Sequence, residues 1–584
     1  MLKRKKKIIS LKPIDVNRLK FIYFTCIAII VCLSGRIFNL QLFNANNLKY
    51  KAVALQTQKI NSLKKRRSIV DKNNRLIAFD KPLYKLWAHP RYFKFPGDTS
   101  RKIRSVEEVV ERLSLILNID EKLISSKFTN NNYGVKLFED LNEEQARNIK
   151  NLGISGLDLE IYSKRFYPQG NVFANLIGFV NDENIPSAGI ELHLDKEIKI
   201  VKKSNLLQSD RDGTPLPDSS GPNDFIVDDK KIVLTIDSRL QKISFNSLAK
   251  QVHKWKAKKG FALVMNVNNG EILSLSSFPS YDPNKFWEYD QNIFKNWYLQ
   301  DLFEPGSTFK PINLAFALEE KVIKKDGLVN DHGFIQVGVW SLSNWDKKGN
   351  GLINYPKVLQ VSSNVGMVKI MKNLNPISYW DWLRKLGIDK KIKTDLYEST
   401  PGYLKSRDNF INQPIEQAVA SFGKGFSISP MKLAQLHAVL ANGGYEVTPH
   451  VTADFKKNNM NLPKKKFFSE DVSETILEWM ESVVDKGSGR GAKVEGYRIG
   501  GKTGTSQKAL NGVYTDKKVC SFVATLPIDN PKYLVLVVVD EPSKSYAYGS
   551  TVAVPVVKEI IESLIVIEKI PPTEINNEMI VRKP

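Results

Sequence analysis

Three short segments contain residue types that could carry out nucleophilic chemistry. Residues 307–310 are Ser-Thr-Phe-Lys, residues 362–364 are Ser-Ser-Asn, and residues 502–505 are Lys-Thr-Gly-Thr. A serine and a lysine three positions apart lie one helical turn from each other, so Lys310 is a candidate base for Ser307. The Ser/Asn segment could relay a proton and hold an amide, and the Lys-Thr-Gly segment could bind an anion. Together they predict an enzyme whose serine becomes acylated.

The Ser-x-x-Lys spacing alone is weak evidence, because it also occurs at Ser62, Ser247, Ser421 and Ser429. Ser307 differs because Glu-Pro-Gly, a turn signal, precedes it and an apolar run of helical periodicity follows. This context predicts a helix N-terminus, where backbone N–H groups and the helix dipole favour developing negative charge. The simpler alternative is a helix-capping serine beside a solvated lysine, and the two downstream segments argue against it.

The Lys-Thr-Gly segment occurs once, and two glycines precede it, so a backbone could approach a ligand closely there. Two strands are predicted after it, at 519–526 and 533–539, with a turn between them. A hairpin is predicted over 261–278, and a last helix over 552–567. An early hairpin, central helices, late strands and a closing helix predict an α+β fold with a mostly antiparallel sheet flanked by helices. A lone Lys-Thr-Gly would more often be an exposed strand-edge charge.

Longer strings connect this chain to a known family. They are Leu-Thr-Ile-Asp at 234–237, Phe-Glu-Pro-Gly-Ser-Thr-Phe-Lys-Pro at 303–311, Ser-Ser-Asn-Val-Gly at 362–366 and Gly-Lys-Thr-Gly-Thr at 501–505. On these strings, residues 226–566 resemble the transpeptidase domain of a class B penicillin-binding protein. Upstream, the strings at 165–170 and 189–191 resemble the non-catalytic N-terminal module of that family. The string at 66–71 resembles its first motif, with Arg67 where the family usually has glycine.

The resemblance implies a role for each candidate residue. Ser307 would be the nucleophile and Lys310 its base, with the pKa of Lys310 lowered by burial and by the charge of Lys502. Ser362 would relay the proton to the leaving amine, and the side-chain amide of Asn364 would hold the substrate peptide. We therefore expect these five side chains to meet in one cleft.

The strand after Lys502 would bind the donor. Backbone N–H groups of Ser307 and Thr505 would form the oxyanion hole. Thr503, Gly504 and Thr505, with Lys502, would hold the terminal carboxylate of a peptidoglycan stem peptide ending in D-Ala-D-Ala. An amine of a neighbouring strand would resolve the acyl-enzyme as a cross-link, and β-lactams would act as inhibitors that stay attached. No cofactor or metal is expected, since the histidines show no metal-ligand spacing and lysine is the base.

Within the family, the Phe-Glu-Pro-Gly-Ser-Thr form and the length resemble the division-specific (septal) peptidoglycan D,D-transpeptidase of a Gram-negative bacterium. The resemblance implies a polytopic lipid-linked glycosyltransferase and other division proteins as partners. The elongation-specific paralogue is the alternative within the family. A β-lactam sensor or hydrolase and an inactive scaffold are alternatives from other classes; the first would need a base that activates water, and the intact motifs argue against the second.

The bulk properties fit this assignment. The chain has 584 residues, of which 42% are hydrophobic, and a formal charge of +24, so it predicts several folded domains and excludes a disordered protein. A basic chain could bind nucleic acid, but its Lys and Arg residues are interspersed with Asp and Glu and no nucleic-acid motif stands out. We expect the charge to face an anionic membrane surface or acidic wall polymers.

The N-terminus predicts the compartment. Five basic residues at 3–7 precede an apolar stretch over 21–34 that continues past Arg36 to residue 43. This pattern favours an uncleaved single-pass anchor in the bacterial inner membrane, with residues 1–20 cytoplasmic and the remainder periplasmic. A cleaved signal segment remains the alternative. Of the three cysteines, Cys26 and Cys32 lie in this stretch and Cys520 stands alone, so a disulfide framework is not expected.

The expected organisation has five parts. They are a basic tail (1–20), a transmembrane anchor (21–43), an elongated, non-catalytic module of the pedestal or dimerisation type (44–225), the transpeptidase domain (226–566) and a C-terminal tail (567–584). Within the third part, 109–117 predicts an amphipathic helix and 136–141 is ambiguous. Turn-rich linkers are predicted at 210–213 and 218–224.

Overall fold

The computed structural model describes residues 16–59, 65–97, 105–128, 134–200, 206–208, 229–455, 465–510, 513–544 and 546–573. The chain divides into two compact units, one made of Met1–Leu63 with Val201–Asp228, the other of Lys64–Ile200 with Asp229–Pro584. The two predicted linkers and the basic string at 3–7 lie outside the described residues.

The described part of the first unit contains one long apolar helix. It runs over Val16–Phe38 and continues through a π-helical turn, Asn39–Phe43. Together they form a 28-residue segment of hydropathy 2.1 with no part of its most apolar window buried. A bilayer core of about 30 Å needs about 20 apolar helical residues, so length and composition fit a single-pass membrane anchor. Helix Ala45–Gln56 follows, and strand Thr57–Lys59 pairs antiparallel with Leu206–Gln208.

The N-terminal module, residues 65–200, is built around a small mixed sheet. Its strands are Ile69–Val70, Leu76–Ala88, Val135–Leu141 and Leu157–Phe166. Its helices are Val106–Leu117, Glu121–Ser125, Glu143–Asn151, Ala174–Ile177, Gly189–His193 and Asp195–Ile198, with 3₁₀ turns Pro90–Tyr92 and Gly170–Val172. The predicted amphipathic helix is confirmed: Ser105 caps it and Val109, Val110 and Leu113 face the core. The ambiguous segment is a strand.

A buried ion cluster holds the first motif of this module. Arg66 Nε donates to Glu191 Oε2 at 2.9 Å, and Arg165 Nε donates to Glu191 Oε1 at 2.6 Å. Arg66 also reaches Asp195 at 2.6 Å, and Arg165 reaches Asp80 at 3.0 Å. These carboxylates offset the free-energy cost of burying the two charged guanidinium groups.

The module and the C-terminal domain share this second unit. Ile69–Val70 pairs in parallel with Ile232–Val233, and buried Asp71 accepts from the N–H of Ser238 at 3.2 Å. Arg67, which stands where the family usually has glycine, is outside the positive-φ residues, and its N–H donates to Ile198 O at 2.7 Å. The departure from the family pattern is therefore compatible with the local backbone.

The C-terminal domain, residues 229–573, has a five-stranded antiparallel sheet that confirms the α+β prediction. In spatial order its strands are Gly500–Leu510, Val513–Leu526, Tyr533–Asp540, Lys259–Asn266 and Ile272–Phe278. The predicted hairpin forms around Gly270, whose φ is +84°. Strands Tyr533–Asp540 and Lys259–Asn266 are almost entirely buried, because helices cover both faces of the sheet.

Helices surround this sheet on two sides. Ser238–Lys254 and Val554–Glu568 pack on one face, where Ala262, Val264 and Phe522 point. The remaining helices are Trp297–Gln300, Lys310–Glu319, Tyr355–Val361, Asn364–Met371, Pro376–Lys385, Arg407–Asn412, Pro414–Ala420, Pro430–Ala441, Glu470–Lys486 and Gly549–Val552, with 3₁₀ turns Pro283–Glu288, Gln291–Phe294, Gly306–Phe309 and Arg490–Ala492. Two small hairpin-like pairs, Leu328–Asp331 with Gly351–Asn354 and Phe334–Val337 with Trp340–Ser343, complete the domain.

Candidate active site

Ser307 lies in a tight turn at the start of a buried helix. The 3₁₀ turn Gly306–Phe309 runs directly into helix Lys310–Glu319, which confirms the predicted helix N-terminus. Gly306 adopts a φ of +57°, and Thr308 Oγ1 donates to Pro305 O at 2.7 Å. Thr308 is buried whereas Ser307 is partly exposed, so Ser307 is the hydroxyl of this turn that a ligand can reach.

Lys310 is fully buried, and its Nζ has three contacts. They are Ser362 O at 2.6 Å, Asn364 Oδ1 at 2.8 Å and Ser362 Oγ at 3.2 Å. Burial, followed by the charge of Lys502, lowers the pKa of Lys310 well below its usual range, although Asp331 opposes the shift. A neutral amine has two hydrogens and one lone pair, so it can donate to the carbonyl and the amide oxygen and accept from the Ser362 hydroxyl. The geometry therefore suits a neutral, basic lysine.

Ser362 lies between two lysines. It ends helix Tyr355–Val361 in the left-handed conformation, with φ +57° and ψ +42°. Its Oγ is 3.2 Å from Lys310 Nζ and 3.0 Å from Lys502 Nζ. A hydroxyl can donate and accept at once, so this placement can move a proton between its neighbours. A left-handed non-glycine residue is uncommon and strained, which is typical of functional sites.

Lys502 is the second buried cation of the cleft. Its Nζ donates to Thr503 O at 2.9 Å as well as to Ser362 Oγ. Burial lowers the pKa of Lys502 to about 7, so both protonation states are accessible near neutral pH. Thr503 Oγ1 is 2.7 Å from Ser488 Oγ, a partner that the sequence did not indicate.

The strand that carries Lys502 lies against the Ser307 turn. A Cβ on Gly504 would be 2.8 Å from Thr308 Cγ2, and a Cβ on Gly306 would be 3.2 Å from Ser506 Cβ. Glycine at both positions lets the two backbones approach. Thr505 follows Gly504, and its Oγ1 accepts from the N–H of Gly549 at 3.0 Å. The structure thus brings all the predicted residues into one region: Lys310, Ser362, Asn364 and Lys502 through hydrogen bonds, and Ser307 and residues 503–505 through backbone packing.

Sequence reasoning missed a polar network beneath Asn364. Buried Asp331 accepts from Ser363 Oγ at 2.8 Å and from Asn350 Nδ2 at 2.6 Å. Asn344 donates to Asp331 at 2.9 Å, and its Oδ1 accepts from the N–H of Asn364 at 2.8 Å. Burial alone would raise the pKa of the Asp331 carboxyl, but these hydrogen bonds lower it. Ser363 lies inside the Ser-Ser-Asn motif, whereas nothing in the sequence around Asp331, Asn344 and Asn350 indicates a role in the site.

Asn364 is held at both ends of its side chain. Its Oδ1 accepts from Lys310, and its Nδ2 donates to Ser343 O at 3.1 Å. The amide nitrogen carries a second hydrogen, which is compatible with the prediction that it holds a substrate peptide. The structure adds a role the sequence did not suggest, since Asn364 also positions Lys310.

His437 supports the Ser307 turn from below. It is fully buried on helix Pro430–Ala441, and its Nε2 is 2.8 Å from Thr308 O. A carbonyl only accepts, so Nε2 carries the hydrogen. Burial lowers the pKa of His437 to about 4, and within the described residues its Nδ1 has no hydrogen-bond partner. A neutral imidazole therefore braces the backbone next to Ser307.

Comparison with known proteins agrees with this geometry. The family model of the penicillin-binding protein transpeptidase domain matches residues 260–562, and that of the penicillin-binding protein dimerisation domain matches residues 62–215. This chain belongs to the penicillin-binding protein family. The matched segments contain the cleft and the buried ion cluster, respectively.

Two curated relatives match this chain over nearly its whole length. The chain is 38% identical to a "Peptidoglycan D,D-transpeptidase FtsI homolog" of Mesostigma viride, over 93% of this chain and 94% of the relative. It is 30% identical to the "Peptidoglycan D,D-transpeptidase FtsI" of Buchnera aphidicola, over 94% and 95%. Among solved structures, the apo transpeptidase domain of Burkholderia pseudomallei penicillin-binding protein 3 matches with a TM-score of 0.52 and 31% identity, covering 59% of this chain and 98% of that one.

Proposed function

We propose that this protein is a septal peptidoglycan D,D-transpeptidase whose Ser307 is acylated by a donor stem peptide ending in D-Ala-D-Ala. The observation that carries the proposal is the environment of Lys310. Its Nζ is buried, is hydrogen-bonded to Ser362 and Asn364, and has a pKa lowered well below the usual range. A serine hydroxyl is a weak nucleophile until a base of this kind removes its proton.

In the acylation step, neutral Lys310 takes the proton of Ser307 as the serine oxygen forms a bond to the donor carbonyl carbon. The N–H groups of Ser307 and Thr505 stabilise the resulting oxyanion; losing one such donor typically costs about 10²–10³ in rate. When the intermediate collapses, the C–N bond breaks. The proton passes from Lys310 through Ser362 to the nitrogen of departing D-alanine, so charges and atoms balance.

Lys502 binds the terminal carboxylate of the donor, together with the hydroxyls of Thr503 and Thr505. Gly504 lets this strand lie close to the Ser307 turn, because a Cβ there would meet Thr308. A bound carboxylate stabilises the charged form of Lys502 and so raises its pKa from about 7. The charge on Lys502 in turn favours neutral Lys310, so donor binding prepares the base.

The second half-reaction uses an amine of a neighbouring stem peptide. Lys310 removes a proton from that amine, nitrogen attacks the acyl carbon, and Ser307 leaves with the proton returned through the same groups. β-Lactams acylate Ser307 in the same way but leave an adduct that resists release. A hydrolase would instead activate water, and an inactive scaffold would have no need for two buried lysines around Ser362.

The cellular role follows from the relatives and from the N-terminus. Two relatives carry the name FtsI, which favours the division-specific role over the elongation-specific one. The apolar helix Val16–Phe38 follows a basic string, which by the positive-inside rule supports an orientation with residues 1–20 in the cytoplasm and the catalytic domain in the periplasm. A polytopic lipid-linked glycosyltransferase and other division proteins are the proposed partners.

The deciding experiment follows a covalent adduct on the full-length protein in detergent. Wild type and Ser307→Ala are incubated with a fluorescent penicillin, and intact mass and label are followed for hours. We expect a stable adduct on wild type and none on the variant. Rapid loss of label would indicate a hydrolase, and folded wild type without an adduct would indicate a scaffold. Complementation of strains depleted of either the division or the elongation enzyme separates the two cellular roles.

A further inference from the structure

A buried carboxylate beneath the Ser-Ser-Asn motif is held by uncharged groups. Asp331 is the last residue of strand Leu328–Asp331 and is only 1% exposed. Within the described residues, its donors at 2.6–2.9 Å are the N–H of Gly333 and the side chains of Asn344, Asn350 and Ser363. A buried carboxylate costs more free energy than a buried amide of the same shape. The charge at this position therefore needs an explanation beyond packing.

Asn344 transmits the position of Asp331 to the motif. Its Nδ2 donates to both carboxylate oxygens of Asp331 at 2.9 Å. Its Oδ1 accepts from the N–H groups of Asn364 and Val365, at 2.8 and 3.2 Å. An amide whose nitrogen faces a carboxylate has to present its oxygen at the other end. Asp331 therefore decides which way round the Asn344 amide lies, and Asn344 fixes the start of helix Asn364–Met371.

This chain of contacts ends on the base. Asn364 Oδ1 accepts from Lys310 Nζ at 2.8 Å, so an Asn344 amide turned the other way would release the helix start that carries a partner of Lys310. Ser363 provides a second path, because its Oγ donates to Asp331 at 2.8 Å and accepts from the N–H of Gly366 at 2.8 Å. Asp331 thus holds two consecutive residues of the motif.

Asp331 also acts on Lys310 through its charge. Burial, followed by the charge of Lys502, lowers the pKa of Lys310, whereas the carboxylate of Asp331 raises it. The hydrogen bonds that Asp331 accepts lower its own pKa against the effect of burial, so the carboxylate is ionised at neutral pH. Two buried groups of opposite charge therefore act on the same amine.

The other titratable groups around this network lie in solvent. They are His332, Asp346, Lys347 and Lys348, which are exposed, and Lys369, which donates to Asn330 O at 2.7 Å. Exposed charges are largely screened by water and salt. Of the described residues, Lys502 and Asp331 are thus the buried charges that shift the pKa of Lys310.

We propose that Asp331 is a positioning residue for acylation, which orients Asn364 through Asn344 and acts on Lys310 by its negative charge. This inference rests on the proposed function. A general base works best when its pKa lies near the working pH, and burial beside Lys502 alone would make Lys310 a weak base. Lys502 favours the neutral amine before the reaction, and Asp331 favours the ammonium that forms when the amine takes the proton of Ser307.

The first test replaces the carboxylate with an amide of the same shape. In Asp331→Asn, the new amide nitrogen faces Asn344, whose own amide then turns its nitrogen toward the helix N–H groups. We expect the second-order rate constant for acylation by a fluorescent penicillin to fall ~10–100-fold, because a displacement of about 1 Å near the reacting atoms can cost that much. The acid limb of the pH–rate profile, where Lys310 becomes protonated, should move to lower pH, because the charge that favours protonated Lys310 is gone.

Exchanging the two side chains should restore the contact. In the double variant Asp331→Asn with Asn344→Asp, the new amide donates to the new carboxylate. The other oxygen of that carboxylate accepts from the N–H groups of Asn364 and Val365, as Asn344 does in the wild type. We expect the double variant to acylate at least ~10-fold faster than Asp331→Asn, a coupling typical of residues in contact. Its acid limb should return toward the wild-type pH.

A matched control separates this role from the burial of a carboxylate as such. Asp395 is 5% exposed and accepts from the N–H groups of Val451 and Thr452 at 2.9 and 2.8 Å. Asp395→Asn should keep the wild-type acid limb and a rate within ~2-fold of wild type. If Asp331→Asn does not fold, as thermal melting would show, Asn344→Leu replaces it. That variant loses the link but keeps the charge, so the rate should fall while the acid limb stays at the wild-type pH.

Three results would overturn the proposal. An unmoved acid limb in Asp331→Asn would reduce Asp331 to a structural residue. A double variant as slow as Asp331→Asn would show that Asn344 does not transmit the effect, and equal slowing in Asp395→Asn would show that the position of the carboxylate does not matter. Each of these requires a wild type that acylates normally. A wild type that never acylates would refute the proposed function, and this inference with it.

Discussion

The N-terminal module and the cleft both bury two cations, but they treat the charges in opposite ways. In the module, Arg66 and Arg165 each donate to the carboxylate of Glu191, at 2.9 and 2.6 Å. In the cleft, Lys310 and Lys502 are equally buried, and the acceptors that their nitrogens contact are hydroxyl, carbonyl and amide oxygens.

The two environments shift the pKa values in opposite directions. Burial would lower the pKa of Arg165, but Glu191 and Asp80 raise it above its usual value, so the residue remains charged and cross-links the module. Burial lowers the pKa of Lys502 to about 7, and burial together with the Lys502 charge lowers the pKa of Lys310 well below its usual range. A carboxylate partner keeps a buried cation charged, whereas burial without one lowers the pKa of a lysine; the contact of Lys310 with Ser362 is what makes that lysine a candidate base.

The largest effect should follow removal of the cleft base. Lys310→Met keeps the side-chain volume close to that of lysine but cannot accept a proton, so acylation by a fluorescent penicillin should slow by about 10²–10⁴-fold. Stopped-flow fluorescence measures the rate. Lys432→Met is the matched control: Lys432 is also buried, also follows a serine by three residues, and contacts Gln435 at 3.1 Å. Acylation by this control should stay within ~2-fold of wild type.

A Lys310→Met protein that acylates within tenfold of wild type would show that another group deprotonates Ser307. Equal slowing in Lys432→Met would show that burying a lysine anywhere in the domain matters more than its place beside Ser362. Either result would remove the distinction between structural and chemical cations. Thermal melting of both variants identifies any loss that comes from misfolding.

Breaking the ion pairs of the module should lower stability and leave acylation unchanged, the reverse of what is expected for Lys310→Met. Glu191→Gln leaves Arg66 and Arg165 without their shared charge, so the free energy of unfolding should fall by about 3–5 kcal/mol. The acylation rate of the folded protein should not change. Chemical denaturation measures the free energy of unfolding, and stopped-flow fluorescence measures the acylation rate. Glu143→Gln is the control: its pair with Arg147 is 3.2 Å long and roughly 70% exposed on both sides, and its loss should cost less than ~0.5 kcal/mol.

If Glu191→Gln instead slowed acylation of folded protein while leaving stability intact, the module would contribute directly to the cleft. A loss of stability shared equally by Glu143→Gln would show that burial does not distinguish the two pairs.

His437 is a third kind of buried titratable group, a neutral one. Its folded pKa of about 4 lies below the ordinary value of 6.5, so between these values the unfolded chain binds a proton that the folded protein does not. Its contribution to stability is complete above pH 6.5 and is lost as the pH falls to 4, by about 3 kcal/mol. In His437→Leu, the difference in unfolding free energy between pH 7 and pH 4 should shrink by that amount. An unchanged difference would show that the imidazole titrates normally.

The sequence predicted those parts of the fold and site that have local signals. The hairpin at 261–278 has an Asn-Asn-Gly turn motif between two apolar segments, and Ser307 follows Glu-Pro-Gly. By contrast, Asp331 and His437 reach the site from other elements, through hydrogen bonds to Ser363 and to Thr308 O, respectively. Nothing in their neighbouring residues distinguishes them from ordinary core positions, since such contacts depend on packing between distant segments. The meeting of Lys310 and Lys502 at Ser362 was predicted only because the three motifs resemble a known family.

The smallest expected effect is on the pH dependence of the acylation rate, which the two lysines of the cleft set. Acylation needs Lys310 neutral, so the rate rises with pH through the lowered pKa of that residue. It also needs Lys502 charged to bind a carboxylate, so the rate falls as the pH rises above about 7. The second-order rate constant should therefore be bell-shaped, with apparent values that belong to the coupled pair. Lys502→Arg keeps the charge at all accessible pH values and should remove the alkaline limb.

A carboxylate bound at Lys502 should shift the alkaline limb of the wild-type pH profile. The second-order constant reports the free enzyme, whereas the rate at saturating ligand reports the complex. In the complex, the carboxylate lies beside Lys502 and stabilises its charge, so the alkaline limb at saturation should lie at higher pH than that of the second-order constant. The acid limb should move the opposite way, because a fully charged Lys502 keeps Lys310 neutral to lower pH. Limbs that coincide in both measurements would mean that Lys502 does not contact the carboxylate, and that its buried charge acts on Lys310 alone.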